Sequence, residues 1–175
     1  MTREKLSVDC FVSEAQWRRE LPEYQTMVER VIRHLLQNEI LELPLNRQIE
    51  VSVTLTNDAE IQDLNSSYRD QNKPTNVLSF PTYEASELAD LAQLPLPEGM
   101  PLVLGDIIMA FETTRREAEL ENKAFRDHFT HLLLHGCLHL LGFDHETEEE
   151  AEVMETLETQ LLEELGIANP YESGL

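Results

Sequence analysis

Five of the six histidines in this chain fall within residues 128–145: His128, His131, His135, His139 and His145. His135 and His139 are four residues apart, so on a helix their imidazoles lie one above the other and can grip one ion at roughly 2.0–2.1 Å per nitrogen. His131 cannot complete that set, because three residues at successive steps of four spread over about 12 Å of helix axis. The third donor must come from where the chain turns back. Gly142, just past Leu141, supplies a residue that can take the left-handed conformation ending a helix, and His145 is then carried under the other two. The pattern H-x3-H-x2-G-x2-H offers three neutral nitrogens and leaves a fourth position for water, the layout of a catalytic rather than a structural zinc.

The same spacing occurs in metzincin proteases, where a glutamate after the first histidine is the general base. Here that position is Gly136. Losing the proton shuttle costs about a hundred- to ten-thousand-fold, so peptide or amide hydrolysis is the alternative reading, and Met154 is no evidence for a Met-turn. His128 and His131 precede the first ligand on the same broad face and either line the cleft and orient the site or pack. Asp144 is either a partner for an imidazole or a turn residue. Cys137, about 200° around the helix from His135, belongs to the core, and His34 is structural.

These residues need a scaffold. Residues 6–12, 49–55, 76–80 and 102–109 read as strands, with Ile49, Val51, Val53 and Leu55 alternating strictly with polar residues. Pro22 opens a helix whose apolar positions run from Tyr24 to Leu36, and Asn57 caps another over about 58–68. Helices are predicted at about 110–122, 125–141 and 146–165, the last burying the stripe Val153, Leu157, Leu161 and Leu165 and ended by Gly166 and Pro170. Residues 82–101, with Pro95, Pro97, Gly99 and Pro101, read as a loop or lid inserted in a single domain spanning 1–175. The expected fold is α+β, one mixed sheet of about four strands with about five helices packed on it.

Composition narrows the function. Thirteen Lys and Arg against 34 Asp and Glu give a net charge of −21, which argues against a broad basic face coating duplex nucleic acid; no DNA is expected as a partner, and any nucleic-acid contact must be local. Residues 146–175 hold ten of the acids and no Lys or Arg, read as a solvated helix face. No apolar run approaches the roughly 18 residues a spanning helix needs, so no membrane is expected and the cytoplasm is the expected location. Cys10 and Cys137 lack C-x-x-C spacing and fit reduced thiols.

Four segments together resemble one family. His135-Gly-Cys-Leu-His-Leu-Leu-Gly-Phe-Asp-His145 resembles the H-G-x-L-H-L-x-G-[YF]-D-H signature of the YbeY family of bacterial rRNA-maturation endoribonucleases. Leu64-Asn-Ser-Ser-Tyr-Arg69 and Pro74-Thr-Asn-Val-Leu-Ser-Phe80 are similar to its L-N-x-x-Y-R and P-T-[DN]-V-L-S-F segments, and Leu104-Gly-Asp-Ile107 to its L-G-D-I strand. The resemblance implies a zinc-dependent, single-strand-preferring ribonuclease in ribosome maturation and quality control, including the 3′ end of 16S rRNA. It places one zinc on His135, His139 and His145, makes Arg69 the functional arginine, and implies the small ribosomal subunit and assembly factors as partners. Asn72, commonly Asp in the family, and the Pro-rich 82–101 segment depart from the pattern. A non-catalytic assembly factor with a structural metal is a third reading.

Overall fold

The computed structural model describes residues 6–41, 48–90 and 99–172. Four strands, β1 (Leu6–Val12), β2 (Ile49–Thr56), β3 (Val77–Pro81) and β4 (Leu102–Ala110), form one sheet in the order β1-β2-β4-β3. β1, β2 and β4 are parallel, and β3 runs antiparallel along β4 at the edge. The expected α+β fold with a mixed four-stranded sheet is the observed one.

Seven α-helices lie among the described residues: α1 (Gln16–Glu20), α2 (Tyr24–Leu36), α3 (Asp58–Arg69), α4 (Ala85–Ala89), α5 (Phe111–Leu120), α6 (Phe125–Leu140) and α7 (Glu148–Glu164). Two of them, α1 and α4, are absent from the sequence expectation, because five residues are too few to display a helical period. α1 exists to seat Trp17, which is fully buried against Phe111, Phe125 and Phe129 and donates from Nε1 to the Thr56 carbonyl at 2.8 Å. α4 interrupts the predicted 82–101 loop, and Glu87 holds its start by accepting from the Glu84 N–H at 3.0 Å. The remainder of that loop, 91–98, lies outside the described residues. Pro22 falls two residues ahead of α2, in the turn closed by the Tyr24 N–H on the Leu21 carbonyl.

The pleat divides the sheet into two faces. Ile61 of α3 packs with Leu78, Ile108 and Ala110 on one face, whereas Val77, Ser79 and Ile107 meet α6 on the other. α6 is buried nearly all round, the pattern of a central helix. It comes close to the sheet at Gly136, where a Cβ would stand 3.1 Å from Ile107 Cγ2, 3.2 Å from Ser79 Oγ and 3.3 Å from Val77 Cγ2. The Ser79 hydroxyl donates to the Gly136 carbonyl at 3.0 Å. The residue after His135 is therefore the packing contact that seats the helix on the sheet, with no room for a glutamate.

α7 differs in phase from its expectation. Its buried residues are Met154, Glu158, Leu161 and Leu162, whereas Val153 is 54% exposed and Leu157 only partly buried. The stripe is shifted because a carboxylate, Glu158, occupies a position on it. Three acids in the first turn, Glu148, Glu149 and Glu150, suit the positive end of the helix dipole, and Thr147 caps it by accepting from the Glu150 N–H at 3.1 Å.

Candidate metal centre

The end of α6 is a Schellman turn. The Phe143 N–H reaches the Leu138 carbonyl at 3.1 Å and the Gly142 N–H the His139 carbonyl at 3.0 Å, with Gly142 at φ +94°. A Cβ at Gly142 would also stand 2.7 Å from the Ala85 Cβ, so conformation and space both require glycine there. The reversal brings His145 back beside the helix. One ligand atom from each of His135, His139 and His145 lies within 4.8 Å of the others, and the ring centroids are 4.6, 5.0 and 5.4 Å apart.

This group fits a metal ion in geometry and in protonation. His135 Nε2 and His139 Nε2 face each other at 3.1 Å, close to the roughly 3.3 Å between two donors on a tetrahedral zinc. Burial, then the neighbouring His135 and His145, push His139 down to about 4, so its imidazole is neutral at physiological pH. His139 is further held by a hydrogen bond with the Phe143 backbone.

The other histidines lie apart from this group. His128 is buried and pairs through Nε2 with Glu117 Oε1 at 3.1 Å. Asn76 donates to the same carboxylate at 2.9 Å, and its backbone carbonyl accepts the Ala110 N–H at the end of β4 at 3.0 Å. Burial would raise the Glu117 carboxyl, but hydrogen bonds from His128 and Asn76 outweigh it and hold the group below its ordinary value. His131 Nε2 lies 3.4 Å from Glu158 and 3.3 Å from the Tyr171 hydroxyl. Asp144 accepts from the backbone N–H of His145 at 2.8 Å, as a turn residue does. Cys137 is buried, which pushes its thiol up, and His34 pairs with Glu164 at 2.9 Å.

Arg69, at the end of α3, reaches over the edge strand. Backbone bonds at residues 76 and 82 put the even positions of β3 in bonded register with β4, so the Ser79 carbonyl points off the free edge. Arg69 Nη2 donates to that carbonyl at 3.0 Å, its guanidinium 6.0 Å from the Phe80 ring centroid. The carbonyl and hydroxyl of Ser79 thus join the arginine to the Gly136 turn of α6. Asn65 holds the intervening loop by donating to the Lys73 carbonyl at 2.9 Å, and Asn72 accepts from Gln62 at 3.1 Å.

Sequence reasoning missed Glu158. Its carboxylate is fully buried and is bonded by His135 Nδ1 and by the Tyr171 hydroxyl, with His131 alongside. Burial would raise this carboxyl, but those hydrogen bonds bring it down to about 2. Burial and the Glu158 carboxylate push the Tyr171 phenol up, so it stays a donor. One sequence signal was available: Glu158 stands four residues after Met154 and three before Leu161, a charge in the apolar row.

Known proteins resemble this chain over most of its length. A curated relative from Bradyrhizobium diazoefficiens is 42% identical over 177 residues, covering 98% of this chain and 85% of its own. Others from Rhodopseudomonas palustris and Rhizobium etli are 50% and 52% identical over 122 and 123 residues, each alignment covering 70% of this chain and 67% of the relative. All three carry the name of an endoribonuclease, which puts the chain among hydrolases that cut RNA phosphodiester bonds internally. It belongs to the Endoribonuclease YbeY family, whose model matches residues 11–166. A solution structure of a protein from Thermotoga maritima shares the fold, with a TM-score of 0.51 over 95% of this chain and 99% of that one at 22% identity.

Proposed function

We propose that this chain is a zinc-dependent, single-strand-specific endoribonuclease acting in rRNA processing, including 16S rRNA 3′-end maturation, and in ribosome quality control. The convergence of three imidazole nitrogens within 4.8 Å carries the reading. An all-nitrogen set of borderline softness suits zinc, and one ion per chain is expected on His135, His139 and His145. Bound there, the metal would supply Lewis acidity, polarising a phosphate oxygen or lowering the pKa of water.

The chain's own groups do the rest. Cleavage builds negative charge on the non-bridging phosphate oxygens, and the forked guanidinium of Arg69 is suited to hold it. Arg69 is exposed, and its bond to Ser79 spends one nitrogen on fixing the side chain while leaving other N–H groups for the phosphate. Gly136 supplies no carboxylate, so proton transfer does not follow the protease pattern. Residues 1–175 act as one domain in this reading, in the cytoplasm, on single-stranded rRNA presented with the small ribosomal subunit and assembly factors. Among the described residues no helix is long and apolar enough to cross a membrane.

The test is cleavage by the purified protein. Single-stranded RNA should be cut, a chelator should stop the reaction and zinc restore it, and casein should stay intact. Casein cleavage without RNA cleavage would transfer the site to peptide hydrolysis.

A further inference from the structure

One buried carboxylate, Glu158, belongs neither to the three-histidine group nor to the arginine that faces the phosphate. Glu158 sits on α7, in a position otherwise suited to an apolar side chain, and is fully buried. Its two oxygens are divided between partners: Oε1 takes His135 Nδ1, while Oε2 takes the Tyr171 hydroxyl and lies 3.4 Å from His131 Nε2. An ionised carboxylate only accepts, so each nitrogen bonded to it must carry the proton. His135 is then protonated on Nδ1, and Nε2, facing His139 Nε2 at 3.1 Å, presents its lone pair.

We propose that Glu158 is the positioning residue of the histidine centre: anchored by Tyr171 and His131, its carboxylate fixes His135 in the tautomer and ring orientation that turn Nε2 toward the metal. The proposal rests on the metal-binding reading of His135, His139 and His145. Tyr171 gives the anchor its direction. The chain passes the Gly166 turn after α7 and doubles back, so that a residue beyond the last helix reaches a carboxylate in its middle. Tyr171 and His131 also pack edge to face with centroids 5.5 Å apart. A group bonded to an imidazole on its far side raises the basicity of the ligating nitrogen, and losing it typically weakens metal binding about 10- to 100-fold. A buried carboxylate serving only to clamp α6 to α7 would have no need to engage the ligand's own ring.

The experiment reads the tautomer without metal. Long-range proton–nitrogen NMR on the metal-free protein, at a pH where imidazoles are neutral, distinguishes Nδ1–H from Nε2–H at His135. Zinc affinity is measured alongside by competition with a chromophoric chelator. The parent is expected to show Nδ1–H. Glu158→Gln, whose amide can also donate, should shift His135 toward Nε2–H and weaken zinc about 10- to 100-fold. Tyr171→Phe keeps the carboxylate and removes only its anchor, so a smaller loss of affinity is expected, and it decides the matter if Glu158→Gln does not fold. A parent that binds zinc with His135 protonated on Nε2 when metal-free overturns the proposal. So does Glu158→Gln with unchanged tautomer and affinity, or, if that variant does not fold, Tyr171→Phe with unchanged affinity. A parent with Nδ1–H that binds no zinc overturns the metal reading instead.

Discussion

His139 separates the residues that could hold an ion from those that surround them. Its nitrogen faces His135 at 3.1 Å, whereas the His131 ring is turned to Glu158 and Tyr171. Removing one of three donors from a four-coordinate site abolishes tight binding, so His139→Ala should release most of the zinc while His131→Ala retains most of it. Metal analysis after gel filtration checks this, and equal loss from both variants would refute the ligand set. Arg69 gives the opposite signature. Its guanidinium is held by the Ser79 carbonyl and touches none of the three histidines, so Arg69→Ala should leave zinc content and fold intact while cutting RNA cleavage by about 10²–10³-fold, the typical cost of one donor to transition-state charge. Cleavage at the parent rate would reduce it to a surface residue. The three-histidine group was legible because its members lie close in sequence on one helix and its turn. Glu158 was not, because its contact with His135 spans 23 residues and depends on how α7 rotates against α6.

At the scale of elements, α6 is held from three sides. Gly136 fits it to β3 and β4, Gly142 turns it under α4, and the Asn76–Glu117–His128 chain ties its first turns to β3 and α5. The last of these is pH-sensitive. Glu117 is held below its ordinary 4.5 in the folded protein despite partial burial, so the stability it adds is present above that value and is lost as the pH falls below it. Glu117→Gln should therefore be less stable than the parent near neutrality, and urea unfolding should show the gap closing as the pH drops below 4.5. A gap that widens in acid would show that the carboxylate is not stabilised by its neighbours. The sequence made the long elements legible: the strict alternation of β2 and the amphipathic stripe of α2 both match the burial seen. It hid α1 and α4, whose five residues each are fixed by tertiary contacts, Trp17 in its aromatic cage and Gly142 against Ala85. The α7 stripe was misphased because a pattern built from apolar residues alone excludes a buried carboxylate.

For the whole molecule, charge sets how RNA can be held. The body carries −21, with ten acids in residues 146–175, yet the segments beside the site are nearly neutral. Residues 66–81 hold two bases against one acid and residues 107–131 four against five. The four bases in the second segment already face acids: Arg115 pairs with Glu119 at 3.3 Å, Arg116 with Asp58 at 3.8 Å, Lys123 with Glu121 at 2.9 Å and Arg126 with Glu23 at 3.7 Å. Exposed pairs of this kind are weak, but each still reduces the charge available to a phosphate. Arg69 and Lys73 have no carboxylate within 4.0 Å among the described residues, leaving about two cations for the strand. At roughly −0.7 per phosphate contact on single strands, log K against log salt should slope by about −1 to −3. Repulsion from the acidic body weakens capture of free RNA further. A salt titration of single-stranded RNA binding to the zinc-loaded protein decides it. A slope steeper than about −5 would require an extended basic track that these ion pairs leave no room for.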